Sequence, residues 1–567
     1  MQTLLAKHCL LALLASSALL HAHAEIRLPA LFGDNMILQQ DTQNAIWGFA
    51  DPGEQVQVHA SWGASAQTQA DQAGNWKLML ATPAHQPGAP HSHSLTIAGD
   101  NTLTFNNVAL GEVWLAAGQS NMGWAMQNTF SAEATLAQAD NPDLRIYRSQ
   151  RQHWHEPLLD NASGQWQTAT PATVAQTSAV AYHFAATLQR TLKVPVGIIV
   201  QAYAGTPIEG WIPKTLQQDD PAVTALIADM DRRSRRFDRT QALETYQQQL
   251  TQYRAELALA STAPRRQREP KPPIITKPAN LGHQMPGHIY NAMIHPIRPY
   301  GIKGMIWYQG ERNSKNVAQA LNYRRQLAQL VGYYRQSWHE MSDGNVAADL
   351  PVYFTQLPSW NPPQTLPVEG VEAPWAVNRE MMRLASEELP NTGLAVAIDT
   401  GDAVELHPKN KRPIGLRHAA LALSRVYGFD TMDTGPRLTG TQVAGDRLVL
   451  SFEAVGQGLM AAKDAPLDSF AIAGDDQQWH WAEAEILGDK IRLSSPAVPR
   501  PVAARYAWAM NPSQRNLLYN HEGFPASPFR TDDWPLFDPD KPLVQVHKPT
   551  KPDGYRAQDW PRPTMQP

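Results

Sequence analysis

The chain has 567 residues, 43% of them apolar and 18% charged, with a formal net charge of −4. That length calls for roughly three to four domain-sized units, the balance excludes wholesale disorder, and the charge argues against a nucleic-acid partner. One cysteine excludes both a disulfide framework and a cysteine-rich zinc site.

Residues 1–24 read as a secretory signal. Lys7 leads into the apolar run Cys9 to Ala15, and Ala22-His23-Ala24 closes it as a small-residue cleavage site. The run is too short to span a bilayer, which needs about 20 residues. Export to a periplasm or beyond is the expectation, without membrane attachment after cleavage, and Cys9 leaves with the signal. Residues 25–108 alternate as short strands, for example Gln55-Val56-Gln57-Val58-His59, with turns at Asp51-Pro52-Gly53 and Asp71 to Asn75. This predicts an N-terminal β-sandwich.

From residue 109 apolar strands alternate with helices. Val113–Ala117, Val194–Gln201, Ile302–Tyr308, Val352–Leu357 and Leu394–Ile398 are the strand candidates, and a last helix spans about Pro413–Tyr427. Such a pattern predicts a parallel sheet covered on both faces, in two parts, 109–213 and 281–428. Between them, residues 214–280 are charged, Gln-rich and helical, then Pro-rich, and read as a solvated insertion. Residues 429–537 return to β, with Leu448, Leu450 and Phe452 on one face. Residues 538–567 are Pro- and Lys-rich and predict an extended, poorly packed tail.

The chemistry collects at strand ends. Val113 to Ala117 runs into Gly118-Gln119-Ser120-Asn121-Met122 and a predicted helix, which places a serine where backbone N–H groups meet developing negative charge. A serine capping a helix is the plainer explanation, and the turn lacks the G-x-S-x-G elbow. A serine nucleophile needs a base with an orienting carboxylate. His407, in Glu405-Leu406-His407-Pro408, is reachable from the same sheet edge, and Glu405 faces the same way two residues earlier in extended chain. Asp399 and Asp402 compete for the carboxylate role. Gly205 and Gln309 stand at two further strand ends as oxyanion donors, although each alone reads as a Gly-containing turn. His283, His288 and His295 fit no familiar zinc spacing, so no metal or other cofactor is expected.

Together these segments resemble the sialate O-acetylesterase-like family of the SGNH hydrolase superfamily. The resemblance is carried by Gly111-Glu112-Val113-Trp114 through Met122, Gly205-Thr206-Pro207-Ile208-Glu209, Ile306-Trp307-Tyr308-Gln309-Gly310-Glu311 with Asn313, and His407-Pro408 with Asn410-Lys411. Gly33 to Gln39, Arg505 to Trp508 and Phe529 to Asp532 are similar too, so it spans about residues 30 to 535. It implies a flavodoxin-like three-layer α/β/α domain. Ser120 would be the nucleophile and His407 the base. The oxyanion hole would come from the Ser120 and Gly205 backbones with Gln309, Asn313 competing as third donor. Glu405 departs from the family's usual Asp-x-His. The resemblance implies cleavage of acetyl esters on sugars, whether sialic acids or a hemicellulose such as xylan or xyloglucan. Asn121, Glu311, Arg312, Asn313 and Trp211 are the candidates for holding the sugar, Arg312 as partner for a carboxylate. Trp124 and Trp360 also lie near the motifs, although most tryptophans are expected in the core. The alternative is a non-catalytic carbohydrate-binding protein on the same scaffold.

Overall fold

The computed structural model describes residues 25–86, 91–160, 164–262 and 270–557. The expected signal, residues 1–24, lies outside them. Seven strands build the central sheet: β1 (Thr102–Gly118), β2 (Asn141–Arg148), β3 (Gln165–Ala169), β4 (Val196–Ala202), β5 (Gly304–Tyr308), β6 (Val352–Thr355) and β7 (Thr392–Ala395). Their order across the sheet is β7-β6-β5-β1-β4-β2-β3. All neighbours are parallel except β2 and β3. A flavodoxin order would set the first parallel strand between the second and third. Here β1 lies between β4 and β5, the third and fourth. The chain therefore crosses from one half of the sheet to the other between β4 and β5. Ligands gather at the carboxyl ends of strands around such a switch point.

Two of these strands were not expected. β2 and β3 are short on apolar residues in the sequence; β2 opens Asn-Pro-Asp and β3 reads Gln-Trp-Gln-Thr-Ala. They are held by pairing at the sheet's edge, not by a strong apolar signature.

Six longer helices follow the chain: α1 (Ala179–Leu192), α2 (Pro221–Arg235), α3 (Arg239–Thr262), α4 (Val317–Met341), α5 (Pro374–Glu388) and α6 (Arg412–Arg425). Strand alternation sorts β1 between two cores. Trp114 and Ala116 join Val180, Phe184, Ile414 and Leu421 of α1 and α6. Val113, Leu115 and Ala117 join Tyr323, Leu327, Trp375 and Met382 of α4 and α5. Helices thus cover both faces. The helices α2 and α3 lie within residues 214–280 and are largely exposed. No helix among the described residues is long and apolar enough to cross a membrane.

The first β region and the central sheet share a strand. β1 pairs antiparallel with His93–Ala98 in its first half, then parallel with β4 and β5 in its second. The expected boundary at residues 108 and 109 therefore falls inside one continuous strand, and the two units are rigidly joined. The C-terminal region forms two four-stranded antiparallel sheets with a small two-stranded one. Leu448, Leu450 and Phe452 face its core as expected, and Val396 and Ile398 of the α/β unit enter the same cluster. The bidentate ion pair of Arg417 with Asp399, at 2.7 Å for both bonds, also accepts the Tyr519 hydroxyl at 2.8 Å across that junction.

Residues 538–557 lack regular structure, but they are anchored to the body through Val546. Leu536, Phe537 and Val546 pack against the main core, and Val546 N donates to the Lys315 carbonyl at 2.9 Å.

Candidate active site

The turn after β1 is forced by close packing. Gly118 has φ +145°, and a Cβ there would lie 2.1 Å from the Tyr308 carbonyl oxygen. Only glycine lets β1 approach β5 this closely. Gln119 N then donates to the same carbonyl at 3.0 Å, and Gly123 N donates to Gln119 O at 3.0 Å. Ser120 therefore sits in a hydrogen-bonded turn. No helix starts here; the next is a short 3-10 turn at Met126–Asn128. The expected helix dipole is absent, and the donors near Ser120 are turn amides.

Ser120 Oγ and His407 Nε2 are 2.8 Å apart although 287 residues separate them. Asn121 makes this meeting possible. Fully buried, it donates through Nδ2 to Glu311 Oε1 at 2.5 Å and to the Leu406 carbonyl at 3.2 Å, and accepts Lys411 Nζ at 2.5 Å. One side chain beside Ser120 thus grips the residue before His407. Burial pulls Lys411 down to about 7, opposed by the Glu311 charge, and pushes the Glu311 carboxyl above its usual range.

The imidazole lies against the Trp124 indole, centroids 4.7 Å apart and planes 11° from parallel. Burial, chiefly, and then the Lys411 charge lower His407 to about 4; Glu405 opposes them and Lys548 adds to them. The ring is therefore neutral near pH 7, able to accept a proton from Ser120.

The expected acid needs correction. Glu405 Oε1 is ion-paired with Lys551 at 2.7 Å and makes no hydrogen bond to His407 among the described residues. It reaches the imidazole through charge alone. The competitors are engaged elsewhere. Asp399 is bound by Arg417 and Tyr519. Asp402 Oδ1 accepts the N–H groups of Val404 and Glu405, both at 2.8 Å, and the Tyr555 hydroxyl.

The third oxyanion donor is also not where the motif pointed. Gln309 Nε2 donates to Asn313 Oδ1, Thr206 O and Gln119 Oε1, and its Oε1 accepts Tyr323. Asn313 Nδ2 is bound to Glu209 at 2.8 Å. Both amides are committed to scaffolding. Gln119, which sequence reasoning passed over, fits better. Its Oε1 is held by Gln309 Nε2 and Arg312 N, which leaves Nε2 without a partner among the described residues, beside Ser120 at the pocket wall. Its place next to the serine was the available signal.

The pocket holds about 340 Å3 and is lined by Ser120, Gly205, Trp360, Trp375, His407 and Val546 among others. Gly205, at φ +72°, presents its backbone to the cavity. Glu311 and Arg312 line it too, with Arg312 Nη2 bonded to Gln284 at 2.7 Å. Trp211 does not reach it: it is fully buried, bonded to Thr206 Oγ1 and set edge-on to Trp307. Asn121 and Asn313 are buried and do not line the pocket. His283 stacks on Tyr203, His295 bonds the Leu158 carbonyl, and His288 is buried. None of the three joins the site's Ser–His pair.

A serine hydroxyl on a neutral imidazole, at the carboxyl edge of a parallel sheet and beside the uncommitted Gln119 amide, defines a carboxylic ester hydrolase. The chain matches the family described as carbohydrate esterase, sialic acid-specific acetylesterase, over residues 110–248 and 277–423. The sialate O-acetylesterase of Rattus norvegicus is 26% identical over 536 residues, covering 89% of this chain and 94% of that one. The human sialate O-acetylesterase is 25% identical, covering 89% and 92%. The crystal structure of a carbohydrate acetylesterase from Xanthomonas citri aligns with TM-score 0.72 at 31% identity, covering 90% of this chain and all of that one. The chain belongs to this carbohydrate esterase family.

Proposed function

We propose that the protein is an exported serine O-acetylesterase that removes acetyl groups from sugars on an SGNH-type catalytic domain. His407 takes the Ser120 proton, and Ser120 attacks the acetyl carbonyl. The oxyanion is held by the N–H groups of Ser120 and Gly205 with Gln119 Nε2 as third donor. His407 then protonates the departing sugar oxygen, and water, activated by the same ring, hydrolyses the acetyl-enzyme. The 2.8 Å contact of Ser120 with His407 inside the pocket is the observation that carries this reading.

Two features favour a sugar as the alcohol. The Trp360 indole, 7% exposed, borders the pocket beside the buried Trp375 and gives it an aromatic edge suited to a sugar's apolar face. A polar cleft of about 800 Å3, lined by Arg148, Arg151, Gln165 and Gln167 among others, opens beside the same turn at Gly123. The names of the relatives favour acetylated sialic acids, and that of the Xanthomonas enzyme acetylated carbohydrate generally. No observation favours a non-catalytic binding role. Export rests on the signal-like residues 1–24. The test is acetate release from acetylated sialic acids, xylan and xyloglucan by the parent and by Ser120→Ala. Loss of several orders of magnitude in the variant is expected; near-parental turnover refutes the assignment.

A further inference from the structure

The segment after Phe537 has no part in the mechanism above, yet it is fastened to both loops that hold the Ser120–His407 pair. On the β5 side, Val546 N bonds the Lys315 carbonyl at 2.9 Å, and Val546 lines the pocket with Ser120 and His407. On the histidine side, Lys551 Nζ bonds Glu405 Oε1 at 2.7 Å and the Tyr555 hydroxyl bonds Asp402. Asp402 in turn caps the N–H groups of Val404 and Glu405, so the strap grips the loop at its turn and at the Glu405 carboxylate.

Stability is a poor explanation for the lysine contact. The Lys551 side chain is 57% exposed, and exposed ion pairs contribute little. Its effect is on charge and direction. When His407 takes the serine proton it becomes an imidazolium, which a nearby carboxylate would stabilise. Glu405 is the acid two residues away, and Lys551 binds its carboxylate and offsets its charge. The charged groups facing His407 are Glu405 on its own loop and Lys411 at the start of α6. The loop after β5 adds Glu311, Arg312 and Lys315, and the strap adds Lys548 and, through Glu405, Lys551.

We propose that residues 538–557 form a strap that sets the basicity of the catalytic histidine, with Lys551 as the positioning residue that holds Glu405 away from His407. The chain thereby restrains a carboxylate two residues from its own base. This rests on His407 being the base.

The test is the acid limb of kcat/KM on an aryl acetate, measured in full-length variants. Lys551→Gln frees Glu405, and the limb is expected to move up by about one pH unit. Lys551→Arg keeps the pairing and the parental limb. Glu405→Gln combined with Lys551→Gln returns the limb to the parental value or below it, because no carboxylate remains to be released. An unmoved limb in Lys551→Gln, or a shift that survives in the double variant, overturns the proposal. Ser120→Ala separates the two levels: an inactive Ser120→Ala with an unmoved limb in Lys551→Gln refutes the strap alone, whereas an active Ser120→Ala refutes the site itself.

Discussion

Trp124 is the sharpest probe of the proposed base. Its indole covers one face of His407 at 4.7 Å, and burial is the main cause that lowers the imidazole from 6.5 to about 4. A displacement of that size represents about 3 kcal/mol against the imidazolium, at about 1.4 kcal/mol for each pH unit. The indole covers one of the ring's two faces. Trp124→Ala should therefore return about one unit and move the acid limb of kcat/KM from near 4 to near 5. The sign follows from the active form. Neutral His407 is the base, so activity is lost as pH falls through its value in the folded enzyme, and raising that value loses activity sooner. The assay is kcat/KM on an aryl acetate from about pH 3.5 to 8, with far-UV circular dichroism to confirm folding. On the plateau an additional fall of about tenfold is expected, because the ring loses the surface that orients it. Trp124→Phe keeps an aromatic face and should keep most of the parental limb. A folded Trp124→Ala enzyme with the parental limb would show that the indole does not set the basicity of His407.

Other substitutions test the remaining structure. Gly205→Ala forces a side chain into φ +72° and should cost about 1 kcal/mol of stability in urea unfolding, while kcat changes by less than about tenfold because alanine keeps the backbone N–H; an unchanged stability contradicts the strained backbone. Arg417→Leu strips the buried Asp399 of its counter-charge at the junction with the C-terminal sheets and should cost about 3–5 kcal/mol in urea unfolding; a loss under 1 kcal/mol contradicts that account. Trp211→Phe should lower the melting temperature while KM for an acetylated sugar stays at the parental value, since Trp211 is fully buried away from the pocket. A selective rise in KM would return it to the binding site.

The sequence by itself determined the pieces. Signals with a period of two or of 3.6 depend only on neighbouring residues, so the strands around Val113, Ile306 and Val352, the last helix and the inward face of Leu448, Leu450 and Phe452 could all be read in advance. The family membership and the ester hydrolase class were also legible, because Gly118 to Met122, Gln309 to Asn313 and His407-Pro408 are compact motifs. Tertiary structure decided what those pieces touch. Gln309 and Asn313 carry the right chemistry, but partners from Thr206, Tyr323 and Glu209 absorb their amides. The unpaired donor passed instead to Gln119. Glu405 stands two residues from His407, yet Lys551, 146 residues later, takes its carboxylate. The weakly patterned β2 and β3, the strand shared by two domains and the docked tail were likewise beyond local reading. A side chain's type is a local property. Whether its hydrogen bonds are spent or free depends on residues that only the folded chain brings within 3 Å of it.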